Sequence, residues 1–144
     1  MKKSICSIIL LTALIFFYDS CSKEAEKVPD YPQLVGQWSG TTMQNVPISF
    51  TVKSIEGILY ISQYTFKVLT NSGYVLFERT NTDGIVAVTD RQFTISLGSG
   101  SAGPSYLNGV FDINSMVLNG NFAVYPTGNT IDIITGTYSA TKIN

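Results

Sequence analysis

The chain carries no histidine and only two cysteines among its 144 residues. Without histidine there is no Ser-His-Asp or Cys-His relay and no ordinary zinc site. Cys6 lies in an apolar leader and Cys21 directly follows it, so the segment beyond has no disulfide available and must hold together by burial and hydrogen bonding. Charge is also scarce, with nine basic and ten acidic residues in all and a formal net charge of −1. From Tyr31 onward the only cations are Lys53, Lys67, Arg79, Arg91 and Lys142, set against Glu56, Glu78, Asp83, Asp90, Asp112 and Asp132. Such a sparse and balanced set argues against nucleic acid, which requires a concentrated basic patch. It offers no electrostatic grip on anionic lipid headgroups either. Phosphate-cradling glycine loops, calcium loops and metal-ligand spacings are missing from the sequence, and no cofactor is implied.

What remains for catalysis is carboxylate chemistry or a polarising Tyr or Lys. Glu78, Asp112 and Asp132 alternate with Leu76, Phe111, Ile131 and Ile133, which places most of them on the wetter face of strands. An enzyme is therefore not expected.

The amino terminus has positive charge at Lys2 and Lys3, then an apolar run from Ile8 to Phe17 interrupted only by Thr12, then Asp19-Ser20-Cys21. This is the layout of a signal peptide. The run is about ten residues, half of the roughly 20 needed to span the hydrocarbon core, so it is too short for a permanent anchor. Its end resembles that of bacterial lipoprotein precursors, in which the cysteine thiol receives a diacylglyceryl group and the leader is cut before it. Tyr18, Asp19 and Ser20 depart from the usual lipobox except at Ser20, and are similar to the looser leaders of Bacteroidota lipoproteins. The resemblance implies residues 1–20 as signal peptide, lipid-modified (palmitate-bearing) Cys21 as the mature first residue, and attachment to the outer membrane. Each buried methylene contributes about 0.8 kcal/mol, so two or three acyl chains suffice without a transmembrane helix.

Residues 21–33 then form a charged, proline-ended tether that buries little. Lys23-Glu24-Ala25-Glu26 partly resembles a Bacteroidota surface-export signal, and a plain spacer needs only the same polarity; the periplasmic face and the cell surface both stay open.

Residues 34–144 have the size of one domain with a single core. Their period is two. Ile48, Phe50 and Val52 alternate with Ser49, Thr51 and Lys53, and Phe93, Ile95 and Leu97 alternate with Thr94 and Ser96. Turn residues recur at Glu56-Gly57, Asn71-Ser72-Gly73, Asp83-Gly84, Thr89-Asp90-Arg91, Asn114-Ser115 and Thr127-Gly128-Asn129. The pattern predicts an all-β antiparallel meander of about eight or nine strands, closed into a barrel or folded as a β-sandwich. Strands are expected at Gly36 to Thr42, Ile48 to Ile55, Ile58 to Leu69 with a bend near Gln63, Gly73 to Thr80, Ile85 to Thr89, Gln92 to Leu97, Tyr106 to Ile113, Met116 to Tyr125 and Thr130 to Lys142. Gly98 to Pro104 is expected as the longest irregular loop.

Gly36-Gln37-Trp38 on the first strand, with Gly136 to Lys142 on the last, resembles the lipocalin-like, or calycin, barrels. In that family a Gly-x-Trp opens the first strand, and a basic residue of the last strand covers the indole. The resemblance implies a structural plug built from Gly36, Trp38 and Lys142. Independently of it, a buried indole N–H needs a partner, and a cation over the ring adds about 0.5–1 kcal/mol.

Tyr60, Tyr64, Phe66, Tyr74, Phe77, Phe93, Phe111 and Phe122 are the candidate interior aromatics, lining a cavity for a small hydrophobic ligand or packing as plain core. Three functions follow: an anchored carrier of such a ligand, an anchored structural or interaction protein with a filled barrel, and a cofactor-free carboxylate enzyme. A protein partner is not specified by any residue pattern.

Overall fold

The computed structural model describes residues 30–100, 103–125 and 133–143. The leader, Cys21, most of the tether, the expected turn at Thr127-Gly128-Asn129 and Asp132 lie outside the described residues. Among the described residues a 3-10 turn, Pro32–Leu34, precedes nine strands: β1 Gly36–Thr42, β2 Pro47–Ile55, β3 Ile58–Thr70, β4 Gly73–Thr80, β5 Val86–Ala87, β6 Gln92–Gly100, β7 Gly103–Asp112, β8 Val117–Val124 and β9 Ile134–Ile143. Among the described residues no helix is long and apolar enough to cross a membrane.

The strands pair as one antiparallel sheet in the order β4-β3-β2-β1-β9-β8-β7-β6, with β5 also on β3. First and last strands are joined along six register pairs, from Gln37↔Ile143 to Thr42↔Tyr138. The meander thus curls into a nearly closed barrel of the lipocalin-like kind, and the two-layer sandwich is set aside. At the remaining seam, β5 holds β3 through Tyr60↔Ala87 and Ile61↔Val86, then turns into β6 through the Thr89↔Gln92 bridge. Above β5 the seam is unpaired, because β4 and β6 are the two ends of the hydrogen-bonded path.

Local chemistry sets these turns. Glu56 and Gly57 adopt φ of 52° and 77°, and Asp90 and Arg91 adopt 49° and 65°, the double positive φ of tight hairpins. The expected bend in β3 is a bulge: the register with β2 slips opposite Thr51/Val52, leaving Ser62 extra. Ser62 is buried and its hydroxyl donates to the Thr51 carbonyl at 3.2 Å. The bend lets one strand serve β4 along its later half and β5 along its earlier half.

One expectation is corrected. Within the expected loop from Gly98 to Pro104, Gly98↔Ser105, Ser99↔Pro104 and Gly100↔Gly103 continue the β6–β7 ladder beyond a bulge at Leu97, and Ser101 and Ala102 lie outside the described residues. Backbone pairing needs no side chain, so a Gly/Ser composition did not prevent it.

Candidate functional site

The first strand, the turn before it and the last strand meet at one site of the barrel. Trp38 is fully buried, and its indole N–H donates to the Leu34 carbonyl at 3.0 Å. Its ring meets Phe111 edge-on at 4.9 Å. Trp38 and Lys142 are direct register partners across β1 and β9. The Lys142 ammonium donates to the Gln33 carbonyl at 2.8 Å, so it ties the amino-terminal turn to the last strand. Gly36 makes this path possible: a Cβ there would lie 2.8 Å from Lys142 Cε, and its φ of +137° favours glycine. The three candidate plug residues are therefore neighbours, with the indole satisfied by a carbonyl and a phenyl edge, and the lysine by a second carbonyl.

From Trp38 a line of neighbouring rings runs through the interior. Phe111 lies 5.8 Å from Phe93, Phe93 5.5 Å from Phe50, and Phe50 5.5 Å from Tyr138. A second group joins Phe66 to Phe122 at 4.9 Å and to Phe77 at 5.8 Å. Such pairs contribute about 0.5–1.5 kcal/mol each beyond the area they bury. An eight-strand-sized barrel is about wide enough for side chains to fill, and here the inward glycines make room for rings. Gly120, paired with Gly109 across β7 and β8, has the Tyr138 ring where its own Cβ would stand, 2.4 Å from Cε1 and Cζ. The Tyr138 hydroxyl donates to the Asn108 carbonyl at 2.8 Å. Burial holds this phenol's pKa well above the ordinary tyrosine value.

The candidate aromatics divide accordingly. Phe66, Phe93, Phe111 and Phe122 are buried in the ring clusters, and Tyr64 is buried on the same face of β3. Burial raises the Tyr64 pKa, and Arg79, its register partner on β4, pulls it back. Phe77 is partly buried and lies over Phe66 at the unpaired seam. Two placements are corrected. Tyr60 does not line the interior: it faces outward on the early half of β3, its ring against Gly84, because the Ser62 bulge reverses the alternation between Tyr60 and Tyr64. Tyr74 is 65% exposed and pairs with outward-facing Leu69; it stands three residues from Phe77, so the two cannot share a face of β4.

Of the carboxylates, Glu78 is exposed and pairs with Thr65 on the outer face. Asp112 is exposed and caps the β7–β8 turn, accepting from the Ser115 hydroxyl at 2.7 Å and the Asn114 amide at 2.9 Å. The Ser115 bond, followed by the Asn114 bond, lowers its pKa. Among the described residues no three His, Cys, Asp or Glu side chains gather where a metal would sit.

The feature that sequence reasoning missed is on the outside. A groove of about 760 Å³ runs over β6 to β9, with β5 at one side, lined by uncharged residues that include Gln92, Thr94, Asn108, Asn119, Asn121 and Thr137. Its signal was present in the same alternation: these are the polar partners of the inward apolar residues, and their importance comes from register, which a single strand does not reveal. In comparisons with protein-family models, curated proteins and solved structures, nothing was found that matches this chain.

Proposed function

We propose that the chain is a lipid-anchored lipoprotein of the bacterial outer membrane, held by acylated Cys21, whose barrel is a solid scaffold meeting its partner through its outer surface. The observation that carries the outward reading is the continuous contact of rings from Trp38 to Tyr138 and from Phe77 to Phe122. Space occupied by rings is closed to a ligand, and the glycines that admit them would otherwise have carried cavity-lining side chains. The anchor rests on the leader, the cysteine and the polar tether of the sequence. No catalytic group and no cofactor enter the proposal.

The carrier of a small hydrophobic ligand is the second reading. It is favoured by the seam above β5, where Val75, on the inner face of β4, is 38% exposed and the partly buried Phe77 stacks on Phe66. If Phe77 swings out, that seam is an entrance.

Two experiments test these statements. Cells fed radioactive palmitate should label the wild-type protein and not Cys21→Ala; label retained in the variant overturns the anchor. The purified chain titrated with a fluorescent fatty acid or retinoid should show no saturable binding. Saturable binding that Phe77→Ala alters would replace the scaffold by the carrier.

A further inference from the structure

The outer face of β6 to β9 carries a polar row laid straight across four strands. Thr94 stands opposite Asn108, Asn108 opposite Asn121, and Asn121 opposite Thr137. Directly opposed residues of antiparallel strands share a face, so the row spans three strand spacings, about 14 Å. Gln92 and Asn119 flank Val110 in the next row. The groove over these rows, about 760 Å³, falls within the roughly 300–1,000 Å³ of small-ligand sites.

The lining chemistry narrows the ligand. None of the lining residues is charged, so neither an anion nor a cation would find a counter-charge. Amides and hydroxyls both donate and accept hydrogen bonds, which suits a ligand whose own groups do both. Asn108 donates through Nδ2 to Asn121 Oδ1 at 3.1 Å, while its own Oδ1 is buried with no partner. That bond holds the two amides side by side, and Asn119 and Asn121 are exposed, so their amides are within reach of such a ligand. Val110, 49% exposed between Gln92 and Asn119, supplies apolar surface beside these groups. The groove lies on the face of the sheet, where the backbone groups of β7 and β8 are already paired with each other, so an extended peptide cannot add to it as a strand. Hydroxyl groups on an apolar carbon skeleton, without charge, describe a sugar.

We propose that this groove binds a neutral oligosaccharide, recognised by Asn108, Asn119 and Asn121. The proposal rests on the outward-facing reading of the barrel and gives that reading a ligand class.

The test is a broad array of neutral glycans probed with the purified full chain, followed by nitrogen-15 NMR titration with each binder and with polygalacturonate as the charged comparator. A neutral oligosaccharide should shift the side-chain amides of Asn108, Asn119 and Asn121 saturably, and polygalacturonate should not. Asn119→Ala/Asn121→Ala should weaken binding at least tenfold with the melting temperature retained, and Leu76→Lys on β4 should leave it unchanged. Absence of any neutral binder, shifts confined to other residues, or equal binding of polygalacturonate overturns the glycan site. None of these outcomes bears on the filled interior, which the fatty-acid and retinoid titration reads separately.

Discussion

Tyr138 occupies the place of a side chain that Gly120 does not have: a Cβ built there falls 2.4 Å from the tyrosine ring and 2.0 Å from the Asn108 carbonyl oxygen. The same carbonyl accepts the Tyr138 hydroxyl at 2.8 Å. A missing methyl group on β8 thus lets a residue of β9 lie flat inside the barrel. Gly120→Ala should destabilise the fold by at least the 1–3 kcal/mol usual for overpacking, since the nearer obstacle is backbone and cannot rotate away. A urea midpoint equal to wild type would show that the ring is not there.

Trp38 and Lys142 are register partners with unequal expected contributions. Trp38→Ala removes a fully buried ring and should cost about 3–5 kcal/mol. Trp38→Phe keeps most of the volume but strands the Leu34 carbonyl, for about 1–3 kcal/mol. Lys142→Met loses one bond to Gln33, about 1 kcal/mol. Thermal melts that rank Lys142→Met with Trp38→Ala would contradict a plug centred on the indole.

Alkaline pH should unfold the domain through its buried phenol. Tyr138 is protonated in the folded state well above the unfolded tyrosine value of about 10. Above that value the unfolded chain binds fewer protons than the folded one, so stability falls as pH rises, by up to about 1.4 kcal/mol per pH unit for one such group. Below pH 10 the contribution is fully present. Tyr138→Phe should flatten the decline of the urea midpoint above pH 10; an equally steep decline would place the titrating group elsewhere.

The Asp112 carboxylate should titrate below the ordinary aspartate range because Ser115 and Asn114 donate to it. Ser115→Ala should raise its midpoint toward the ordinary value in a carbon-13 NMR titration. An unmoved midpoint would mean that the backbone N–H groups of Asn114 and Ser115, and not the serine hydroxyl, hold the carboxylate.

Much of this architecture was legible where local chemistry decides it. The bounds of β1 and β4 coincide with the expected Gly36 to Thr42 and Gly73 to Thr80, and both begin on a glycine whose φ, +137° or +112°, starts a strand abruptly. The proximity of Gly36, Trp38 and Lys142 was legible because the first and last strands of a closing meander are neighbours. What escaped was whatever depends on register. Counting by twos through β3 puts Tyr60, Ser62, Tyr64 and Phe66 on one face, and a single extra residue at Ser62 moves Tyr60 to the other. The rings of Phe93, Tyr138 and Phe122 stand over mid-strand Gly109, Gly120 and Gly136, contacts that only the cross-strand register brings about. The row from Thr94 to Thr137 joins residues from four strands, and although each shows in its own strand's alternation, their alignment is set by register alone.

Whether the barrel is solid is read most directly by xenon, which enters dry apolar voids. Methyl and aromatic NMR shifts of the wild-type chain under increasing xenon pressure should show no saturable response at Phe50, Phe66, Phe93, Phe111 or Phe122. Phe66→Ala, which removes the ring shared by Phe77 and Phe122, should acquire one. Saturable xenon binding among these rings in the wild-type protein would mean an open interior and would contradict the scaffold.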